Sequence, residues 1–209
     1  MSREKIIETL AFYAERHPEE REMVAKVCEL VRTRADCFER TCLPGHITAS
    51  SWIFSSDLDR FLLTHHRKLD RWLQLGGHAD GDSNPLSVAL REAREESGMF
   101  EFDLLEWVGA AGEGTSARSV PADVDIHRIP ARPGEPEHEH YDFRFILVAA
   151  EGQPLVMSSE SSDLAWFPLD QIETVGADES LLRLGRKAMA VRAEHGGLAT
   201  LTQLGKIGN

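Results

Sequence analysis

The chain has 209 residues, of which 42% are hydrophobic and 28% are charged, and its formal net charge is −12. This balance is typical of a globular protein with one domain and an extension. So acidic a chain is not expected to bind nucleic acid, and no apolar run reaches the roughly 18 residues of a membrane span. The charged, amphipathic start is not that of a signal peptide. Three cysteines, an odd number, favour free thiols and a cytoplasmic location.

The first 36 residues predict two helices with apolar stripes, separated at His17-Pro18. The stripes consist of Ile6, Leu10 and Tyr13 in the first helix, and of Met23, Val24, Val27, Cys28 and Val31 in the second. We expect residues 1–43 to form a helical extension to a domain that spans residues 44–209. The extension would pack either on this domain or on a second subunit, so a homodimer is among the expected states.

Strand patterns begin at residue 46, where the helical periodicity ends. The predicted strands are 46–54, 60–64, 104–110, 124–129 and 141–149. Proline and glycine are frequent in residues 130–140 and predict a long loop there. Residues 178–195 predict a closing helix with Asp178 as its N-cap.

A cluster of glutamates lies between the predicted strands 60–64 and 104–110. Glu92, Glu95 and Glu96 are spaced i, i+3 and i+4, so on a helix they share one face, beside Arg91. Like charges at this spacing repel unless a cation lies between them. Carboxylate oxygens suit a hard divalent ion such as Mg²⁺ or Mn²⁺. The alternative is an ordinary solvated face of a helix.

The same predicted helix has an apolar face that would pack on a sheet. Its apolar residues recur at i, i+3, i+4 and i+7, and they are Leu86, Ala89, Leu90 and Ala93. Asn84 followed by Pro85 predicts the N-cap and the first helical position, and Gly98 predicts the C-terminal stop. The helix can therefore pack on a core while it presents acidic groups to a cleft.

The stretch from Gly77 to Met99 resembles the Nudix box, G-x5-E-x7-R-E-U-x-E-E-x-G-U, where U is aliphatic. Gly77 takes the first glycine, and Arg91-Glu92, Glu95-Glu96 and Gly98 follow at the required spacing. One position departs, because Ser83 stands where the family has its first glutamate. The adjacent Asp82 could take over the support that this glutamate gives to the box arginine.

The resemblance implies an α+β fold, the Nudix α/β/α sandwich with a mixed sheet, and a small-molecule substrate in which a nucleoside diphosphate is linked to another group. A metal-dependent hydrolase would cleave its pyrophosphate bond with Mg²⁺ or Mn²⁺. The implied metal-binding groups are Glu92, Glu95, Glu96 and the carbonyl of Gly77, with Arg91 as structural support. Candidates for activating the attacking water are Glu92, Glu95 and, on a late loop, Glu160.

A second group of residues is rich in histidine. In an extended strand His138 and His140 point to the same side as Asp142, and Asp125 and His127 likewise share a side. We name His78, His127, His138 and His140 as candidate contacts to a second metal ion or to phosphate. The alternative is that these histidines lie on the surface of an acidic loop.

Two other functions stay open from the sequence. The Gly-Gly-His stretch and the spaced histidines are also compatible with an isomerase resembling isopentenyl-diphosphate isomerase, which shares the Nudix fold and has a histidine-rich metal site. That enzyme's catalytic cysteine is absent here, since position 76 is Gly76. The third hypothesis is a non-catalytic ligand-binding Nudix module. Serine in place of the first box glutamate at position 83 favours it, and the retained glutamates argue against it.

Overall fold

The computed structural model describes residues 1–109, 119–159 and 161–196. Its α-helices are α1 Arg3–Arg16, α2 Arg21–Thr33, α3 Pro85–Ser97 and α4 Glu179–Glu194. Its strands are β1 Gly45–Phe54, β2 Arg60–His66, β3 Arg71–Leu73, β4 Leu75–His78, β5 Phe102–Leu104, β6 Asp123–Ile129, β7 His138–Ala149 and β8 Ser161–Pro168. Short 3-10 turns follow α1 and β8.

The strands form one mixed sheet around the long strand β1. Strand β1 runs parallel to β7 over its whole length, and on its other side it pairs antiparallel with β4 and then with β2. Strands β5 and β6 are antiparallel neighbours of β7. Strands β3 and β8 are antiparallel neighbours of β2. The central pair β1 and β7 thus brings residues far apart in the chain into register.

Helices cover both faces of the sheet because the side chains of β1 alternate between them. Helix α3 packs on β1, β4 and β7 through its predicted stripe, which is buried. On the opposite face Trp52 contacts α4, where a Cβ at Gly185 would lie 3.2 Å from the indole ring. The expected α+β sandwich with a mixed sheet is therefore confirmed.

The N-terminal helices pack on the same core as the sheet. Ile6, Leu10 and Tyr13 of α1 are each 1% exposed or less, and Val27 and Val31 of α2 are fully buried with them. The two predicted stripes are thus the packing surfaces of this pair. The division of the chain at residue 43 stays a prediction.

The predicted elements differ most from the structure at β5 and in the loop before β7. The strand predicted at 104–110 is wrong in its bounds, because β5 pairs with β7 only over Phe102–Leu104; Ala110 lies outside the described residues. The predicted loop 130–140 is too long, since β7 already begins at His138. Pairing to β6 on one side and β1 on the other holds His138 to His140 extended, which local composition could not indicate.

The three cysteines, Cys28, Cys37 and Cys42, are free and buried, as expected. In residues 1–109, 119–159 and 161–196, no helix has the length and apolar character needed to cross a membrane.

Candidate functional site

Helix α3 carries the glutamate cluster, and its ends are those that the sequence predicts. Asn84 is the N-cap residue and Pro85 the first helical residue, although the Asn84 side chain makes no capping hydrogen bond. Gly98 ends the helix with φ 71°, a left-handed conformation that favours glycine. With the apolar stripe buried against the sheet, Glu92 and Glu96 face β4.

Two of the three glutamates contact the glycine pair at the end of β4. A carboxylate oxygen of Glu96 accepts a hydrogen bond from the Gly76 N–H at 3.2 Å. A Cβ placed on Gly77 would lie 2.6 Å from the Glu92 carboxyl carbon, so only glycine leaves room for this carboxylate. Glu95, one position before Glu96, is exposed. The carboxylates of Glu92 and Glu96 therefore lie beside the β4 backbone, and that of Glu95 lies in solvent.

Arg91 links the helix to this strand. Its Nη2 donates to the His78 carbonyl at 2.7 Å and lies 3.0 Å from a carboxylate oxygen of Glu92. Ser83, at the position of the missing glutamate, instead donates to the Met1 carbonyl and accepts from the N-terminal ammonium. Asp82 accepts a hydrogen bond from the Asn84 N–H, a local turn contact. The His78 carbonyl and Glu92 thus brace Arg91.

The oxygen-rich composition of this cluster suits a hard divalent cation. The Glu92 carboxyl group occupies the space that a side chain at Gly77 would fill, and it is only 13% exposed. Clustered carboxylates and a nearby backbone carbonyl are the ligand types that Mg²⁺ and Mn²⁺ take. Glu160, the candidate late base, lies outside the described residues.

A cluster of five histidines lies on the sheet face opposite α3. His46 is on β1, His78 on β4, His127 on β6, and His138 and His140 on β7. The ring centroid of His140 lies 4.8 Å from that of His46, 5.1 Å from those of His78 and His138, and 5.2 Å from that of His127. The four histidines predicted from the sequence therefore meet.

His46 is the member that sequence reasoning missed. It is separated from His78 by a whole hairpin, so no local spacing connected it with the others. Register explains its place, since His46 lies opposite His140 in the parallel pair, and His127 lies opposite His140 on the other side. The only signal in the sequence was its position at the start of a predicted strand.

Three histidines of this cluster have a lowered pKa, and they are His46, His78 and His140. Burial lowers the pKa of His46 to about 4 and that of His140 to about 2, and neighbouring imidazoles act in the same direction. Burial also lowers the pKa of His78, and so does Arg40, which is itself paired with Asp80. The surroundings of these three side chains thus favour their neutral form.

A buried ionic network lies next to the histidines on the same sheet face. Arg144, 3% exposed, contacts three carboxylates at 2.8 to 3.2 Å, those of Asp123, Asp125 and Asp142. Lys187 of α4 reaches Asp123 at 2.7 Å. Burial alone would raise the pKa of Asp123, but the surrounding cations outweigh it and lower that pKa. The network ties β6, β7 and α4 together, and sequence analysis did not single out Arg144.

Comparisons with known proteins agree with this geometry. The NUDIX domain matches residues 44–184, more than half of the chain. A probable DHNTP pyrophosphohydrolase of Lactococcus lactis subsp. cremoris (strain MG1363) is 27% identical over 126 residues, which are 59% of this chain and 63% of that protein. The match thus spans less than two thirds of the relative's length.

Solved structures show the same fold. A C. elegans Ap4A hydrolase in a binary complex has a TM-score of 0.53 at 16% identity, covering 70% of this chain and 97% of that one. A NUDIX family hydrolase from Clostridium perfringens also has a TM-score of 0.53, at 23% identity, covering 71% and 97%. Since the family match spans most of the sheet and the glutamate helix, the chain belongs to the Nudix family.

Proposed function

We propose that this chain is a metal-dependent pyrophosphohydrolase that cleaves a pyrophosphate bond in a small nucleotide derivative, a nucleoside diphosphate linked to another group. The observation that supports it most is the contact of Glu92 and Glu96 with the Gly76-Gly77 backbone. The names of its relatives, a DHNTP pyrophosphohydrolase and an Ap4A hydrolase, are consistent with a phosphorus-anhydride substrate.

Glu92, Glu95, Glu96 and the Gly77 carbonyl would hold Mg²⁺ or Mn²⁺, which supplies positive charge for the phosphoryl oxygens when bound. Arg91 positions the site, because it ties the end of β4 to the helix that carries the carboxylates. Glu95 is exposed and can reach a substrate-bound water as a base, while Glu92 is restrained by Arg91. Glu160 stays a second candidate for the base.

The isomerase alternative meets a steric obstacle at position 76. A Cβ on Gly76 would lie 2.3 Å from the Ser50 Cβ and 2.6 Å from the Ala49 carbonyl oxygen. No side chain, and so no catalytic cysteine, fits there without a shift of β1. The observation that favours the isomerase is the histidine cluster, which is compatible with the hydrolase as well.

Three free, buried thiols support a reducing compartment, and we propose the cytoplasm. The homodimer stays a prediction that sedimentation of the purified chain can test.

The test uses Glu96→Gln, because glutamine keeps an oxygen that can accept from the Gly76 N–H while it removes the charge. Wild type and variant are incubated with Mg²⁺ or Mn²⁺ and a panel that includes DHNTP, Ap4A and other nucleoside diphosphate derivatives. Released phosphate is measured after a phosphatase step. We expect turnover to fall by about a hundredfold or more, since even groups behind a metal ligand change activity about 10- to 100-fold.

Glu151→Gln is the matched control, because Glu151 is an exposed glutamate in the turn after β7 and does not belong to the glutamate cluster of α3. It should keep wild-type turnover. Absence of turnover by folded wild-type protein on every compound of the panel would reject the hydrolase. Near-normal turnover by folded Glu96→Gln would reject the metal-binding role of Glu96.

A further inference from the structure

The histidine cluster is built on four strands, β1, β4, β6 and β7, and lies apart from the glutamates. The donor atoms of His46, His78 and His140 lie within 4.8 Å of one another. We propose that these three imidazoles bind one divalent transition-metal ion, of the class to which Zn²⁺ belongs, at a second metal site. Imidazole nitrogen is a ligand for Zn²⁺, Fe²⁺ and Ni²⁺, and a poor one for Mg²⁺.

Two buried ring nitrogens of this cluster, Nε2 of His46 and Nδ1 of His127, have no hydrogen-bond partner in the described part of the chain. His46 is 2% exposed, and its Nδ1 lies 3.4 Å from the Cys42 carbonyl oxygen, which can only accept a hydrogen bond. Nδ1 therefore carries the proton, and Nε2 is left as a bare lone pair without a hydrogen-bond partner. A backbone carbonyl on one ring nitrogen and a free lone pair on the other is the usual arrangement of a metal-binding histidine.

His138 lies on the same strand as His140 and supports it. Its Nδ1 donates to the Pro136 carbonyl at 2.9 Å, so its Nε2 is an acceptor, to which the Nε2–H of His140 donates at 3.2 Å. The lone pair of the neutral His140 ring is then on Nδ1. His138 thereby restrains the His140 ring. Both rings project from β7 to the same face, two residues apart.

The spacing fits a metal ion after a small movement. In a tetrahedral site with metal–nitrogen bonds of about 2.1 Å, neighbouring ligand atoms are about 3.4 Å apart. Donors within 4.8 Å therefore need to close by about 1.5 Å at most. Rotation of the side chains provides this without moving the strands. His78 and His140 are half-buried, so a fourth position stays open to solvent or to a ligand.

Nearby charges favour a cation over a phosphate. Glu135 lies 3.7 Å from His138. Asp125 lies 3.4 Å from His127, but it is also paired with Arg144 and Arg183. Arg40, the cation that acts on His78, is engaged by both oxygens of Asp80. The Glu135 carboxylate beside the cluster attracts a positive ion and repels an anion.

The sheet separates this site from the glutamates. Gly77 and His78 are successive residues of β4, so they face opposite sides of the strand. The Gly77 side is filled by Glu92 of α3, and the His78 side by the other histidines. Loss of one site therefore need not affect the other.

The experiment uses the full-length chain without a histidine tag, with excess Mg²⁺ to occupy the carboxylate site. Zn²⁺ binding is measured by calorimetry and elemental analysis, and Co²⁺ binding by its visible absorption. We expect one equivalent of either ion in the wild type and in Glu96→Gln. His78→Gln and His140→Gln should bind at least about tenfold more weakly. His65→Gln, a histidine of β2 outside the cluster, should bind like the wild type.

Circular dichroism checks that each variant folds. The variants are made at His78 and His140 because these side chains are half-buried, whereas His46→Gln changes a buried residue and can prevent folding. Folded wild type that binds neither Zn²⁺ nor Co²⁺ would overturn the proposal, as would unchanged affinity in both triad variants. Binding of inorganic phosphate in place of the metal ions would assign the cluster to anions instead. Loss of Zn²⁺ binding in Glu96→Gln would place the ion at the glutamates and overturn the proposal. Retained Zn²⁺ binding by a wild-type protein that hydrolyses no compound would support the histidine site and reject only the proposed function.

Discussion

Gly76 and Gly77 are neighbours in one strand, yet a methyl group at each should have a different effect. At Gly77 the new Cβ would lie 2.6 Å from the carboxyl carbon of Glu92, the far end of a flexible side chain. At Gly76 it would lie 2.6 Å from the Ala49 carbonyl oxygen and from the Ser50 Cα, which are backbone atoms. Only the first obstacle can move aside by rotation.

We therefore expect Gly77→Ala to keep the fold and to lose activity. Alanine restricts the unfolded chain, which stabilises the folded protein by about 0.4–1 kcal/mol. Moving the Glu92 carboxylate offsets this gain. The free energy of unfolding should therefore change by less than about 1 kcal/mol. A displacement of about 1 Å in a catalytic constellation costs about a hundredfold in rate. Gly76→Ala should instead lower the stability by about 1–3 kcal/mol or more, because the strands must separate.

Urea unfolding followed by circular dichroism measures the stability of both variants, and turnover is measured with Mg²⁺ on whichever compound the wild type hydrolyses best. The comparison is internal, since the two variants add the same methyl group to adjacent residues. Wild-type turnover by Gly77→Ala would show that the position of Glu92 does not matter. Equal destabilisation by the two variants would show that Glu92 cannot move, and would refute the steric reasoning.

Two further predictions concern buried charge. Arg144→Met should destabilise the protein by about 3–5 kcal/mol in urea unfolding, because it leaves three buried aspartates without this cation. Arg186→Met, which breaks an exposed ion pair, should lower the free energy of unfolding by less than about 1 kcal/mol. Similar losses of stability in both variants would contradict the role of burial. Burial raises the pKa of Glu106 to about 7. The stabilisation of the folded protein by the protonated carboxyl group is therefore fully present below about pH 4.5, and it is lost as the pH rises through 7. Glu106→Gln should thus have a free energy of unfolding up to about 3 kcal/mol above that of the wild type at pH 8, and the two should be equal near pH 4. If the stabilities of the two proteins change with pH in parallel, this prediction is contradicted.

Much of the candidate site was predictable because its residues are close in the chain. Glu92, Glu95 and Glu96 share a helical face by spacing alone, and Asn84 and Gly98 give the ends of α3 through local backbone preferences. The support of Arg91 was less predictable. Asp82 was expected to assist it, whereas the His78 carbonyl and Glu92 are its contacts, and they come together only when β4 lies beside the helix.

The amino-acid sequence by itself determined the glutamate helix, its apolar face, the two N-terminal stripes and the family, because these depend on periods of three to four residues or on a continuous motif. Only the tertiary structure decided that His46 joins His78 and His140, and that Arg144 meets three aspartates. Strand pairing sets these contacts, since β1 and β7 are about ninety residues apart in the chain and adjacent in the sheet. The hydrophobic pattern fixes which face a residue takes, but no turn joins β1 to β7, so nothing local determines which of their residues lie opposite one another.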